Sequence, residues 1–215
     1  MRQEINPNDT NRAQAFELWM KSPMPMVTLT KTFDVTRLCK MSRKKEISFN
    51  MLLCWCIGKA ASTIEEFFMV PADDKMYKFD QLAIGPVVTN CKGGINYCDI
   101  PFNESLRQFS ADYQEITGRA ASLCENLCLD DKMMVIGTSA MIQTELDSVV
   151  NQYAQGFNNP MVMWGRYRKG WLKTTLSISF QFHHVQMDGG QAALFLEELQ
   201  KTINTYSFEA ARSLS

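Results

Sequence analysis

The chain has 215 residues, 46% of them hydrophobic and 21% charged, with a formal net charge of -1 at pH 7. That length suits one domain with a sizeable core, spanning 1–215, and the composition is that of an ordinary globular protein. Near-neutrality argues against coating nucleic acid or a membrane surface, and the longest apolar run, Met51 to Ile57, is far too short to cross a bilayer.

The opening residues, MRQEINPNDTN, contain no apolar run, so no signal peptide is expected and the reading is cytoplasmic. A short helix is predicted over Thr10 to Lys21, stopped by Pro23 and Pro25. Met26 to Phe33 is rich in strand formers. Asp34 is placed to cap a helix over Val35 to Met41, and Ser48 a long apolar helix from Phe49 to Phe67. Strands follow over Lys75 to Phe79, Leu82 to Asn90 and Ile95 to Ile100. Asn103 is placed to cap a helix to Leu127, bent near Gly118. Lys132 to Gln143 reads as a strand, and Met161 to Arg168 and Trp171 to Phe182 as a pair joined by Lys169-Gly170. The last helix starts near Gly190, with Ala192, Phe195, Leu196, Leu199 and Ile203 at helical spacing, and frays after Tyr206. Strands and helices mix without strict βαβ alternation. This predicts an α/β two-layer sandwich, a mixed β-sheet covered by helices. No glycine-rich phosphate loop opens a helix, so dinucleotide and P-loop functions have no support.

The seven cysteines are Cys39, Cys54, Cys56, Cys91, Cys98, Cys124 and Cys128. An odd number without an export signal reads as reduced thiols. Cys54 and Cys56 sit inside the apolar run, so buried, inert thiols are expected and no metal site.

Chemistry concentrates in Ser177-Ile178-Ser179-Phe180-Gln181-Phe182-His183-His184-Val185-Gln186-Met187-Asp188-Gly189-Gly190. Strict alternation makes its first half a half-buried strand. It then carries both histidines of the chain, an Asp-Gly-Gly turn and the final amphipathic helix. Histidine is the side chain whose unperturbed pKa suits proton transfer near neutrality. Asp188 could contact the imidazole or stiffen the turn.

His183-His184-x3-Asp188-Gly189 resembles the HHxxxDG signature of CoA-dependent acyltransferases, and chain length favours the chloramphenicol acetyltransferase type. Similar stretches are Arg12-x3-Phe16-Glu17-x-Trp19, Phe33-Asp34-Val35-Thr36-x-Leu38, Ser48-Phe49, Ser139-Ala140 with Leu146-Asp147-Ser148, and Pro160 to Tyr167. The resemblance implies direct acetyl transfer from acetyl-CoA to an acceptor hydroxyl such as that of chloramphenicol. His184 is then the general base and Ser148 the donor to the tetrahedral oxyanion. Asp188 pairs with Arg12 to hold the histidine loop, and Arg166 and Tyr167 meet the CoA nucleotide. The absence of a nucleophile elbow fits transfer without an acyl-enzyme. A homotrimer with the site between subunits is implied.

The chain departs from the family pattern at several positions. Met187 and Gly190 replace a cysteine and a bulky aromatic around Asp-Gly. Met163 replaces a threonine near the acceptor, and Ile142-Gln143 a Pro-Trp pair. Ser48 stands where a CoA-binding lysine is usual, and Leu18, Met26 and Ile95 replace pocket aromatics. These changes keep three alternatives open. One is a different hydroxyl acceptor. Another is a degenerate relative acting as a binding or assembly module. The last is the acyltransferase subunit of a 2-oxoacid dehydrogenase core, for which the chain lacks a lipoyl domain and linker.

Overall fold

Alternation along the strands and 3.6-residue periodicity along the helices bring the apolar faces together in one layered core. The computed structural model describes residues 1–129, 132–154 and 156–213, with side chains as far as 205. The chain runs β1 (Gln3–Ile5), α1 (Ala13–Trp19), β2 (Met26–Asp34), α2 (Thr36–Lys45), α3 (Phe49–Ala61), β3 (Met69–Ala72), β4 (Lys75–Lys78) and β5 (Leu82–Thr89). It continues through β6 (Ile95–Tyr97), β7 (Ile100–Pro101), α4 (Leu106–Leu123), β8 (Met134–Met141), β9 (Met161–Gly165), β10 (Arg168–Lys169), β11 (Thr174–His183) and α5 (Gly189–Ser213).

The main sheet is mixed. Central β11 is antiparallel to β2 on one side and β9 on the other. From β9 the sheet continues through β8 and β5 in parallel register, then β6 and β7 antiparallel to β5. A small antiparallel sheet, β1-β4-β3, stands apart. Leu176, Ile178, Phe180 and Phe182 of β11 are all buried on the helical side. Phe180, Phe67 and Phe195 of α5 stack with ring centroids 4.7 to 5.7 Å apart. Each such side chain contributes about 2–3 kcal/mol of burial. Helix α3 is buried along nearly its whole length, and α5 buries Ala192, Phe195, Leu196, Leu199 and Ile203. The predicted two-layer α/β sandwich is the observed one.

Several boundaries differ from the sequence reading. The predicted helix at Thr10–Lys21 is a 3-10 turn over Pro7–Asp9 followed by the shorter α1. Helix α3 stops at Ala61 because the Ser62 and Thr63 hydroxyls bond back to the Lys59 and Ala60 carbonyls. Phe67 instead lies in a 3-10 turn, Glu65–Phe68. Ser105, not Asn103, caps α4. That helix passes Gly118 unbroken and ends at Cys124, which takes a left-handed φ of 55°. Helix α5 runs to Ser213, through the stretch after Tyr206 where the sequence predicts a frayed tail; side chains there lie outside the described residues. Not every cysteine is buried: Cys91 and Cys128 are exposed and Cys124 is half-buried. The tip between β10 and β11 presents Trp171 and Leu172 to solvent.

Gly165 ends β9 under the loop that carries Ser148. A Cβ there would lie 2.7 Å from the Thr144 carbonyl oxygen and 2.9 Å from the Leu146 nitrogen. Gly165→Ala is therefore expected to cost about 1–3 kcal/mol, read as a lower urea midpoint at constant m. An unchanged midpoint would mean that the loop yields freely.

Candidate active site

The candidate site lies where β11 becomes α5. The β2–β11 ladder ends at the Met26–His183 pair, and the His184 N–H donates to the Pro25 carbonyl at 2.8 Å. The chain then turns: Gln186 and Met187 N–H groups return to the His183 carbonyl. His183 is 1% exposed. Its Nδ1 accepts from the Val185 N–H at 3.1 Å, which leaves Nε2 to carry the proton of a neutral ring. Burial first, and the neighbouring His184 second, push its pKa down to about 4.

His184 differs from its neighbour. Its side chain is 32% exposed, yet Nδ1 is enclosed without a hydrogen-bond partner. The Asp188 Oδ1 is 3.8 Å from that nitrogen, too far for a hydrogen bond. Nε2 is thus the nitrogen that an incoming hydroxyl can reach. Trp19 stacks on the imidazole, ring centroids 5.0 Å apart and planes 9° from parallel.

Arg12 fixes this turn. The residue is 2% exposed and its guanidinium bonds converge on one segment. Nε donates to the Val185 carbonyl at 2.9 Å and Nη2 to the His184 carbonyl at 2.9 Å. Nη1 and Nη2 grip the Asp188 carboxylate at 2.8 and 2.9 Å. A planar fork with five donors suits this task. The Arg12 hydrogen bond is the main reason that the Asp188 carboxyl is held below the usual carboxylate range. Arg12 caps α1 and Trp19 ends it, so this short helix spans from the clamp to the stacking ring.

A second set of amides supports the turn from beneath. Gln186, fully buried, donates to the Glu66 and Met69 carbonyls. The Glu66 carboxylate accepts from Asn11 and Gln191, and Gln191 in turn accepts from the Asp188 N–H at 2.9 Å.

Ser148 is not at this turn. It is exposed in the loop after β8, and the next residue, Val149, donates its N–H to the Ser179 hydroxyl at 2.8 Å. Ser179 is five residues before His184, about 16 Å along an extended chain. Arg166 and Tyr167 lie in the break between β9 and β10 rather than within a strand. They line a cavity of about 550 Å³ with Phe49, Asn50, Glu145 and Lys169. The Phe49 and Tyr167 rings meet at 5.2 Å. One chain therefore brings together His184, Asp188 and Arg12, and separately Arg166 and Tyr167, with Ser148 apart. The stacking of Trp19 and the roles of Glu66, Gln186 and Gln191 were missed by sequence reasoning. Only the Arg12-to-Trp19 spacing carried a signal.

The sequence model of the chloramphenicol acetyltransferase family matches residues 2–200. The chain thus belongs to the chloramphenicol acetyltransferase family of acyltransferases. It is 23% identical over 209 residues to chloramphenicol acetyltransferase 3 of Escherichia coli, covering 90% of this chain and 93% of that one. Chloramphenicol acetyltransferase 2 of the same organism is also 23% identical, with 91% and 94% covered. Among solved structures, a chloramphenicol acetyltransferase superposes with a TM-score of 0.82 at 17% identity, over 95% of this chain and 100% of that one. A truncated catalytic core of the 2-oxoacid dehydrogenase multienzyme complex from Thermoplasma acidophilum gives 0.68 at 18% identity, over 94% and 99%.

Arg12→Lys is expected to lower stability by about 1–3 kcal/mol, because an ammonium cannot serve the carboxylate and both carbonyls together. Asp188 is 50% exposed, so solvent screens the ionic share and the carbonyl bonds carry most of the loss. A urea midpoint equal to wild type would contradict the clamp. For His183, the unfolded chain binds a proton near pH 6.5 and the folded chain only near pH 4. Stability is then complete above pH 6.5 and falls on acidification, by about 1.4 kcal/mol per pH unit between these values. His183→Asn, whose Oδ1 replaces the accepting Nδ1, should remove this acid limb from a Tm-versus-pH profile. A limb that persists in the variant would assign it elsewhere.

Proposed function

We propose that the chain is a homotrimeric, cytoplasmic O-acetyltransferase that moves an acetyl group from acetyl-CoA directly to a hydroxyl of a small acceptor. Chloramphenicol is the first candidate acceptor. The observation that carries this reading is the Arg12 clamp, which holds the histidine turn with the His184 ring partly exposed and its Nδ1 enclosed. His184 Nε2 takes the proton of the acceptor hydroxyl as its oxygen attacks the thioester carbonyl. The thioester of acetyl-CoA supplies the acyl group. Ser148 donates a hydrogen bond to the oxyanion that forms, worth about 3–4 kcal/mol in the transition state. As the intermediate collapses, the imidazolium returns its proton to the departing thiolate sulfur. Asp188 stays ionised and, with Arg12, holds the loop.

The cavity at Arg166, Tyr167 and Lys169 suits the CoA nucleotide, with cations for phosphate and two rings for a purine. Because the Ser148 loop is tied to Ser179, five residues before His184, rather than to the histidine turn, the oxyanion donor is assigned to a neighbouring copy. A different acceptor is the second reading, favoured by Leu18 and Ile95: both stand where the family carries pocket aromatics, and both are largely exposed.

The test is thiol release from acetyl-CoA, with and without chloramphenicol, by wild type and His184→Gln. Chloramphenicol-dependent release, reduced about 10²- to 10⁴-fold in the variant, is expected. Release only with another hydroxyl compound would keep the mechanism and replace the acceptor. No release across an alcohol panel, with no CoA binding, would make the chain a non-catalytic relative.

A further inference from the structure

Four of the seven cysteines are buried, and burial pushes their thiols up, Cys39 to about 11 and Cys54 and Cys98 to about 12. Two of the others meet at the surface. Cys91 follows β5 in the turn toward β6, and Cys124 ends α4. Their Sγ atoms are 2.8 Å apart as separate thiols, against about 2.05 Å for a disulfide bond. The backbones that carry them are already docked. The Cys91 N–H donates to the Ala121 carbonyl at 3.0 Å, and its thiol also reaches the Ser122 carbonyl.

We propose that Cys91 and Cys124 are a redox-modification site, forming a reversible disulfide that staples the β5–β6 turn to the C-terminal end of α4. The thiols are unequal. A hydrogen bond from Cys91, with help from Lys92, lowers the Cys124 thiol, and the same contact raises Cys91. Either thiol can open the exchange. Starting from Cys124, its thiolate displaces one thiolate from a low-molecular-weight disulfide and forms a mixed disulfide. Cys91 then loses its proton to solvent, attacks the Cys124 sulfur and releases the second thiolate. Two protein thiols are oxidised by two electrons, and the small disulfide is reduced to two thiols. The staple fixes one end of a cavity of about 380 Å³ lined by Ser48, Met51, Tyr113, Thr117 and Ala121.

The test treats the full chain with oxidised glutathione, blocks remaining thiols and maps peptides without reduction. The expected product is one Cys91–Cys124 link per chain, reversed by dithiothreitol and retained in Cys128→Ser. The link should raise Tm by about 5–10 °C. In Cys91→Ser, glutathione should remain on Cys124. Thiols that stay free in excess oxidant, a Cys124–Cys128 link, or glutathione persisting on the wild-type pair would each overturn the proposal.

Discussion

One guanidinium organises the candidate site. Arg12 comes from the start of the chain and the histidine turn from near its end; His183 closes the turn locally, and Arg12 ties it to the rest of the site. The turn exposes two carbonyls and a carboxylate, and the Arg12 fork bonds all three. Burial of the guanidinium makes this costly to leave unpaired and hence specific. It also brings Trp19 onto the imidazole, because Arg12 caps the short helix that ends at Trp19. Position and ring orientation of His184 thus follow from one side chain.

The sheet supplies the remaining rigidity. From Leu176 onward each β11 residue on the helical side is a large apolar group, and each on the other side is Ser, Gln or His. The helical side is closed by α3 and α5. The other side carries the loop after β8, tied to β11 through the Ser179 hydroxyl and through Gln181 bonding the Asn151 carbonyl. The polar face is therefore where Ser148 is displayed, away from the chain's own His184.

The class of fold and the centre of the site were legible because their signals are contiguous. Alternation into His183-His184, then Asp188-Gly189 and a helix, occupy one stretch of sequence. Partners far apart were less so. Arg12 and Asp188 are 176 residues apart and were joined only through resemblance. The support from Glu66 and Gln191 had no local pattern at all. Helix α3 was read too long because apolar Ile64 and Phe67 continue its composition, while Ser62 and Thr63 end it through side-chain bonds. Strands β1 and β3 were too short to give alternation. Cys91 and Cys124 looked like ordinary buried thiols because only the folded turn and helix end bring them together.

The central claim is that His184 and Ser148 act on one acceptor from different copies of the chain. Its most direct measurement mixes His184→Ala and Ser148→Ala chains, unfolded and refolded together at equal amounts, and assays thiol release. Each variant alone lacks one group at every site. Random assembly restores both groups at about a quarter of the interfaces, so the account predicts recovery to about that fraction of wild-type activity. Activity no greater than the mean of the two variants would contradict it.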